Sequence, residues 1–281
     1  MCFSHFFKQK KTEVEAIDAQ SLTILGKIDT GGSSTVYKGK WNDKSVAVKK
    51  IQLSSNENRS IAENEMKQLS ELTKLNAPYV VKFFSYHVDD SNYYIVMEPL
   101  PFSLDKFIDR KKNNPFDWSL RYKIIKQVAI GIQFLHDHFI THGDIKSNNI
   151  LLDNEMNAKL CDFGLAKHFS VQKTNIGTLS WMSPEVMCGK PYTEKSEIFS
   201  FSMTMWEIAA WKIPYLFLNP IDTVIFVSNE KREAIPTDCP IKIAKLIQLG
   251  WHQNPKSRPT AKAIVAELSM GMEHPLPPKL K

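Results

Sequence analysis

The chain has 281 residues, 43% of them hydrophobic and 23% charged, with 36 Lys and Arg against 30 Asp and Glu, for a formal net charge of +6. This is an ordinary globular composition, long enough for one large domain or two small ones with a proper core. The mild basic excess suits anionic ligands, but no arginine-rich stripe concentrates it, so nucleic acid is not the expected partner.

Residues 1–20 lack a convincing period and are expected to form a flexible tail. The start, MCFSHFFKQKK, does not read as a signal peptide, because its apolar part is short and precedes its charges. Phe3, Phe6 and Phe7 beside Lys8, Lys10 and Lys11 give at most a weak membrane-surface contact. Position 2 is Cys, which rules out myristoylation. From Ile24 to Lys50 the pattern predicts strands in ILGKI, STVYKGKW and SVAVKKI. Residues 57–75 read as a helix with Ile61, Glu65, Leu69 and Leu72 on one face. Two further strands, YVVKFFSYH and NYYIVME, are split by the turn-like DDSN.

After Leu100 the character changes. Leu120 to Phe139 carries Ile124, Ile125, Val128, Ile132 and Leu135 at helical spacing. Residues 196–211 form an apolar helix, and 241–250 and 260–270 are amphipathic. Pro275, Pro277 and Pro278 mark residues 272–281 as a Pro-rich tail. A strand-rich portion with one helix thus precedes a helix-rich portion. The expected fold class is α+β in two lobes, with a cleft between them. No apolar stretch approaches the roughly 20 residues of a membrane span. Cys2, Cys161, Cys188 and Cys239 show no metal-ligand spacing and no disulfide framework, so a reducing, cytoplasmic setting is expected.

HGDIKSNNILL, residues 142–152, reads either as a turn before a strand or as a catalytic loop, and its residue types suit the second. An acid in a loop accepts or orients the proton of a hydroxyl. A lysine two residues on neutralises developing phosphate charge, and an asparagine oxygen binds a hard cation. AKLCDFG places a second candidate metal ligand, Asp162, eighteen residues after Asp144. As a lone motif Asp-Phe-Gly is as readily a structural turn. Upstream, LGKIDTGGSSTVYKGK has Gly31 and Gly32, which let a backbone approach a phosphate, followed by the small Ser33, Ser34 and Thr35. Alone, this is a polar hairpin turn as readily as a phosphate cradle. In VAVK, residues 46–49, Lys49 sits on an otherwise apolar strand and needs an anionic ligand or a buried acid. Glu65 is the natural partner.

Together these residues resemble the protein kinase superfamily over about residues 22–270, within its tyrosine-kinase-like group of serine/threonine kinases. The resemblance implies the two-lobed kinase fold over 21–271, with a small antiparallel β lobe, 21–99, carrying one helix, and a larger helical lobe, 100–271. It implies that Lys49, held by Glu65, places the α- and β-phosphates of ATP. Asp144 in HGD is the implied catalytic base, Lys146 the charge partner of the γ-phosphoryl, and Asn149 and Asp162 the Mg²⁺ ligands. SPE at 183–185 matches the family's Ala-Pro-Glu, and Arg258 of NPKSRP is expected to pair with Glu185. GTLSWMSPE is similar to the serine/threonine-type end of an activation segment, so Thr178 is expected to contact the catalytic loop. In YIVMEPL, Met97 is the implied gatekeeper, and Glu98 and Leu100 the backbone contacts of adenine. Ile28, Gly31, Gly32, Ser33, Ser34, Val36, Ala47 and Leu151 complete the nucleotide site. The implied partner is a protein substrate with a serine or threonine acceptor. Oligomeric state is not legible.

The sequence departs from the family pattern at several points. Aligned on Val36, the three loop glycines fall at Asp29, Gly31 and Ser34. Gly143 stands for the arginine that holds a phosphorylated activation loop, which implies little dependence on such phosphorylation. Glu197 stands where the family has an aspartate bracing the catalytic loop, and Ser202 where it has a glycine. These changes leave a nucleotide-binding pseudokinase or scaffold as the alternative. Against it, every residue that handles phosphate, metal or proton is present. A kinase-fold enzyme acting on a small molecule or lipid is the other alternative, opposed by GTLSWMSPE and by Arg258 with Glu185. His136, His138 and His142 read as packed or helix-end residues rather than a zinc site. Cys161 reads as a small core residue, and Arg110, Lys111 and Lys112 as a solvated face. Ser170, Thr174 and Ser180 are candidate phosphorylation sites.

Overall fold

Hairpin-forming sequence dominates the first hundred residues. In a computed structural model, which describes residues 16–30, 34–111, 114–168 and 178–271, that sequence forms β1 (Leu22–Thr30), β2 (Ser34–Trp41), β3 (Lys44–Gln52), β4 (Phe83–Val88) and β5 (Asn92–Met97), interrupted by α1 (Asn56–Lys74). The strands make one antiparallel sheet in the order β1-β2-β3-β5-β4. The β2–β3 turn is Asn42-Asp43, both with positive φ (46° and 62°), the residue types that tolerate a tight hairpin turn.

Register fixes which residues share a face. Val36 lies across from Lys49, and Lys49 from Ile95; Ala47 lies across from Met97. Val36, Ala47, Lys49, Ile95 and Met97 therefore share one face. The opposite face carries Val46, Val48 and Val96, a buried cluster covered by Ile17, Leu22, Trp41, Phe84 and Tyr94. Each fully buried Val or Ile of this kind contributes about 1.5–3 kcal/mol.

The chain clusters into two compact units. One comprises the described residues up to Arg59 together with Phe83–Pro99, and the other Ser60–Lys82 together with Leu100 onward. The second unit contains β6 (Phe102–Ser103), α2 (Leu104–Arg110), α3 (Trp118–Asp137), β7 (Ile140–Thr141), β8 (Ile150–Leu152), β9 (Ala158–Leu160) and β10 (Lys167–His168). It continues with α4 (Pro184–Met187), α5 (Glu194–Ala210), α6 (Pro220–Ser228), α7 (Ile241–Gly250) and α8 (Ala261–Ser269). α3 packs against α8, α5 and β9, and α5 also packs against α7. Ile124, Ile125, Val128, Ile132 and Leu135 of α3 are fully buried, as their spacing predicts. α5 is buried from Ser196 to Ala209. The hydroxyls of Ser200, Ser202 and Thr204 each donate to the carbonyl four residues back, and that of Ser196 donates to Glu185 Oε1. Ser202, where the family pattern has glycine, is accommodated by a glycine opposite. A Cβ on Gly250 of α7 would lie 1.8 Å from the Ser202 hydroxyl.

The α+β fold class holds, with two corrections. YVVKFFSYH is not one strand, because β4 begins at Phe83. Tyr79 takes φ +54°, which ends any extended run, and the backbone of 79–81 pairs instead with Leu160. Cys161 is half-buried rather than a core residue. The short helices α2 and α6 are additions. α6 carries its own signal, since Asn219 accepts from the Asp222 N–H and Pro220 occupies the first turn.

Candidate active site

The stretch 142–149 is held from several sides, and each support is a polar group on a rigid element. His142 is fully buried, its ring centroid 4.7 Å from that of Phe163. Its Nε2 lies 2.8 Å from the Cys161 carbonyl, and its Nδ1 accepts from the Asp144 N–H. The ring is thus a packed bracket with both nitrogens engaged. Gly143 takes φ +89°, where a side chain would be strained, and its N–H donates to Glu197 Oε2 at 2.9 Å. Ser147 donates to Glu207 Oε1 at 2.6 Å, and Asn148 donates to Asp105 at 2.7 Å.

Glu197 and Glu207 sit ten residues apart on α5, both fully buried, yet they are pushed opposite ways. Burial disfavours ionisation of Glu197. The hydrogen bond and field of His136 (Nε2 to Oε1, 3.0 Å), His142 and the Gly143 N–H outweigh it, and the carboxyl lies below its ordinary range. For Glu207 burial wins over the bonds from Ser147 and Trp181 Nε1, raising it to about 8. α5 thus carries an anionic brace beneath Gly143 and a predominantly neutral one beneath Ser147.

These supports present a polar triangle. Asp144 Oδ2 is 2.6 Å from Lys146 Nζ, and Thr178 Oγ1 donates to Asp144 Oδ1 at 2.9 Å. Lys146 Nζ also donates to Thr178 Oγ1 at 2.6 Å. Thr178, expected to touch the catalytic loop, therefore bridges its acid and its lysine. Asn149 turns its Nδ2 to the Asp144 carbonyl (2.8 Å) and to Oδ2 (3.0 Å), so its carboxamide oxygen faces away from the acid. Asp162 follows β9 with φ +65°, a left-handed conformation that Asp tolerates better than bulkier residues. It is solvent-exposed while Phe163 beside it is fully buried. Carboxylate, carboxamide and phosphate oxygens are the donor set Mg²⁺ prefers, so Asp162 and Asn149 fit the cation chemically.

Glu65 is fully buried in this helical unit, its Oε2 3.6 Å from where a Cβ on Gly164 would lie. Leu151 sits on β8, half-buried, and Leu100 opens the unit. In the sheet unit, Lys49, Ala47, Val36 and Met97 share the face described above. Ser34 begins β2, Glu98 is half-buried, and Ile28 is exposed on β1. Gly31, Gly32 and Ser33 lie outside the described residues, as do Lys112, Ser170 and Thr174. Below the triangle, Arg258 makes a bidentate pair with Glu185 (2.7 and 2.8 Å), and its other N–H groups donate to the carbonyls of His252, Lys195 and Gln253. Sequence reasoning passed over Glu207 and Asn64. The signal for Glu207 was an acid inside the apolar run FSFSMTMWEIAA. Asn64 carried none beyond adjacency to Glu65.

A five-stranded antiparallel unit, a helical unit and an acid–lysine–amide loop bridged by a threonine define a protein kinase domain. The family model described as protein tyrosine and serine/threonine kinase matches residues 22–268, and the chain belongs to that family. It is 36% identical over 249 residues to a probable serine/threonine-protein kinase of Dictyostelium discoideum, covering 87% of this chain and 27% of that relative. A putative serine/threonine-protein kinase/receptor of Acanthamoeba polyphaga mimivirus is 34% identical over 258 residues, 90% of this chain and 15% of the relative. A serine/threonine/tyrosine-protein kinase of Arabidopsis thaliana is 31% identical over 261 residues, 89% of this chain and 66% of the relative. The chain thus spans less than two thirds of the length of each. Use of ATP, Mg²⁺ and protein substrates is general to the family. No helix among the described residues is long and apolar enough to cross a membrane.

Proposed function

We propose that the chain is an ATP- and Mg²⁺-dependent protein kinase that transfers the γ-phosphoryl group to serine or threonine hydroxyls of protein substrates. The observation that carries this reading is the Asp144–Lys146–Thr178 triangle. An acid fixed by three side chains is pre-oriented for a hydroxyl, so little is lost in ordering it at the moment of reaction. Asp144 accepts or orients the acceptor hydroxyl proton, and Lys146 supplies positive charge beside the transferring phosphoryl group. Asn149 and Asp162 are the residues that would hold Mg²⁺, which when bound neutralises charge on the phosphate oxygens. Lys49, partnered by Glu65, is assigned to the α- and β-phosphates. Val36, Ala47 and Leu151 are assigned to the adenine faces, and the Glu98 carbonyl and Leu100 N–H to its edge. Pro99, which lacks an N–H, interrupts neither contact.

Similarity to relatives named as serine/threonine kinases favours this reading over a scaffold that binds nucleotide without turnover. Cys161, Cys188 and Cys239 form no disulfide with one another among the described residues, which suits a reducing, cytoplasmic setting. The test is Mg²⁺-dependent transfer of labelled γ-phosphate to the protein itself and to a generic basic protein, with labelled residues mapped. Label on serine or threonine is expected. A folded, nucleotide-binding protein that transfers none would return the scaffold reading, and label confined to tyrosine would overturn the acceptor assignment.

A further inference from the structure

Residues 61–65 of α1 face the turn that follows Asp162. The Asn64 Nδ2 lies 2.8 Å from the Ala166 carbonyl, 3.2 Å from that of Gly164 and 3.5 Å from that of Phe163. The turn itself is closed by the Ala166 N–H donating to the Phe163 carbonyl at 3.0 Å. Gly164 is pressed against the same stretch of helix, for a Cβ there would stand 3.0 Å from Ile61 Cγ2 and 3.6 Å from Glu65 Oε2. Ile61, Asn64 and Glu65 are neighbours on one helical face by i+3 and i+4 spacing. One carboxamide, with two N–H donors, thus addresses three carbonyls of this turn, one of which, that of Phe163, also accepts the Ala166 N–H.

We propose that Asn64 is a positioning residue: it locks α1 onto the turn 163–166 and so holds Asp162, in its left-handed conformation, at a fixed distance from Glu65. Two residues assigned to different tasks, metal holding and support of Lys49, are then set by one side chain between them. The metal half of this inference rests on the assignment of Asp162 as a Mg²⁺ ligand; the lock itself does not. A left-handed Asp is strained and persists where its surroundings over-determine it. The carbonyls on its C-terminal side are among the groups able to do so. Asn64 touches no reacting atom, so its effect is on where Asp162 sits.

The experiment compares wild type with Asn64→Leu, which keeps the branched shape at a larger volume and removes both donors, and with Asn64→Asp, which sets a carboxylate against three carbonyls. Hydrogen–deuterium exchange is measured first, without nucleotide or metal. Faster exchange is expected in peptides covering 160–168 and α1 in both variants, with α7 and α8 unchanged. Mn²⁺ binding in the presence of ATP is then followed by electron paramagnetic resonance. Affinity about five- to ten-fold weaker is expected in Asn64→Leu, the scale of one or two lost hydrogen bonds, and weaker still in Asn64→Asp. Exchange unchanged in the 160–168 peptides would overturn the lock. Altered exchange with unchanged Mn²⁺ affinity would leave Asn64 structural and overturn its positioning role. A wild type that binds no Mn²⁺ with ATP would remove the metal assignment and the positioning role together, while the ligand-free exchange data still decide the lock.

Discussion

Glu207 is expected to make this fold sensitive to mild alkali. Its carboxyl is raised from 4.5 to about 8 by burial, which the bonds from Ser147 and Trp181 only partly offset. A group raised in this way contributes stability that is fully present below its unfolded value near 4.5 and is lost as pH rises through about 8. Between those values the folded chain keeps a proton that the unfolded chain has released. Each pH unit in that window therefore costs about 1.4 kcal/mol. From pH 6 to pH 8 the loss comes to about 2 kcal/mol, because the group is half ionised at the upper limit. For a chain of this size that corresponds to roughly 3–4 °C in Tm. Glu207→Gln is nearly the same shape and does not ionise. Thermal melts from pH 6 to pH 8 are expected to show the wild type losing this much relative to Glu207→Gln. Two curves that run parallel over the range would refute the reasoning, and would mean that Ser147 and Trp181 hold Glu207 ionised.

Two other carboxylates, the half-buried Glu185 and the fully buried Glu197, give contrasting expectations. Arg258 uses all its N–H groups and is 2% exposed, so Arg258→Met strands Glu185 without its counter-charge. Denaturant unfolding should show a loss of about 3–5 kcal/mol, and a loss below about 1 kcal/mol would mean that the pair is dispensable. Glu197→Ala removes the acceptor of the Gly143 N–H and of His136, at a cost of about 3 kcal/mol. Because that brace acts on the loop bearing Asp144, turnover should fall more than ATP affinity in the surviving folded protein. Equal losses in both would point to a general loosening.

Much of the fold was readable because its signals are local. The β2–β3 hairpin follows from Asn42-Asp43, and α3 from five apolar residues that all proved fully buried. The strand assigned to 79–82 failed for a non-local reason. Val80 and Val81 are apolar and β-branched, but their backbone partner is Leu160, and the positive φ of Tyr79 leaves no trace in residue type. At the site, Asp144, Lys146 and Asn149 were legible because one loop carries all three. Thr178, 34 residues away from Asp144, was reached through resemblance alone. Glu207 and Asn64 were missed because their significance lies in what surrounds them: a dry helix for one, three carbonyls for the other. Ser202 shows the converse, a departure made harmless by Gly250 on another helix.

Asp144 is proposed to act on the acceptor hydroxyl and not on the nucleotide. Turnover and ATP affinity, measured side by side in wild type and Asp144→Asn, test this. Turnover is expected to fall about a hundred-fold or more, with ATP affinity changed by about two-fold at most. A variant that keeps its turnover, or that loses ATP binding in proportion, would contradict the role given to the acid at the centre of the triangle.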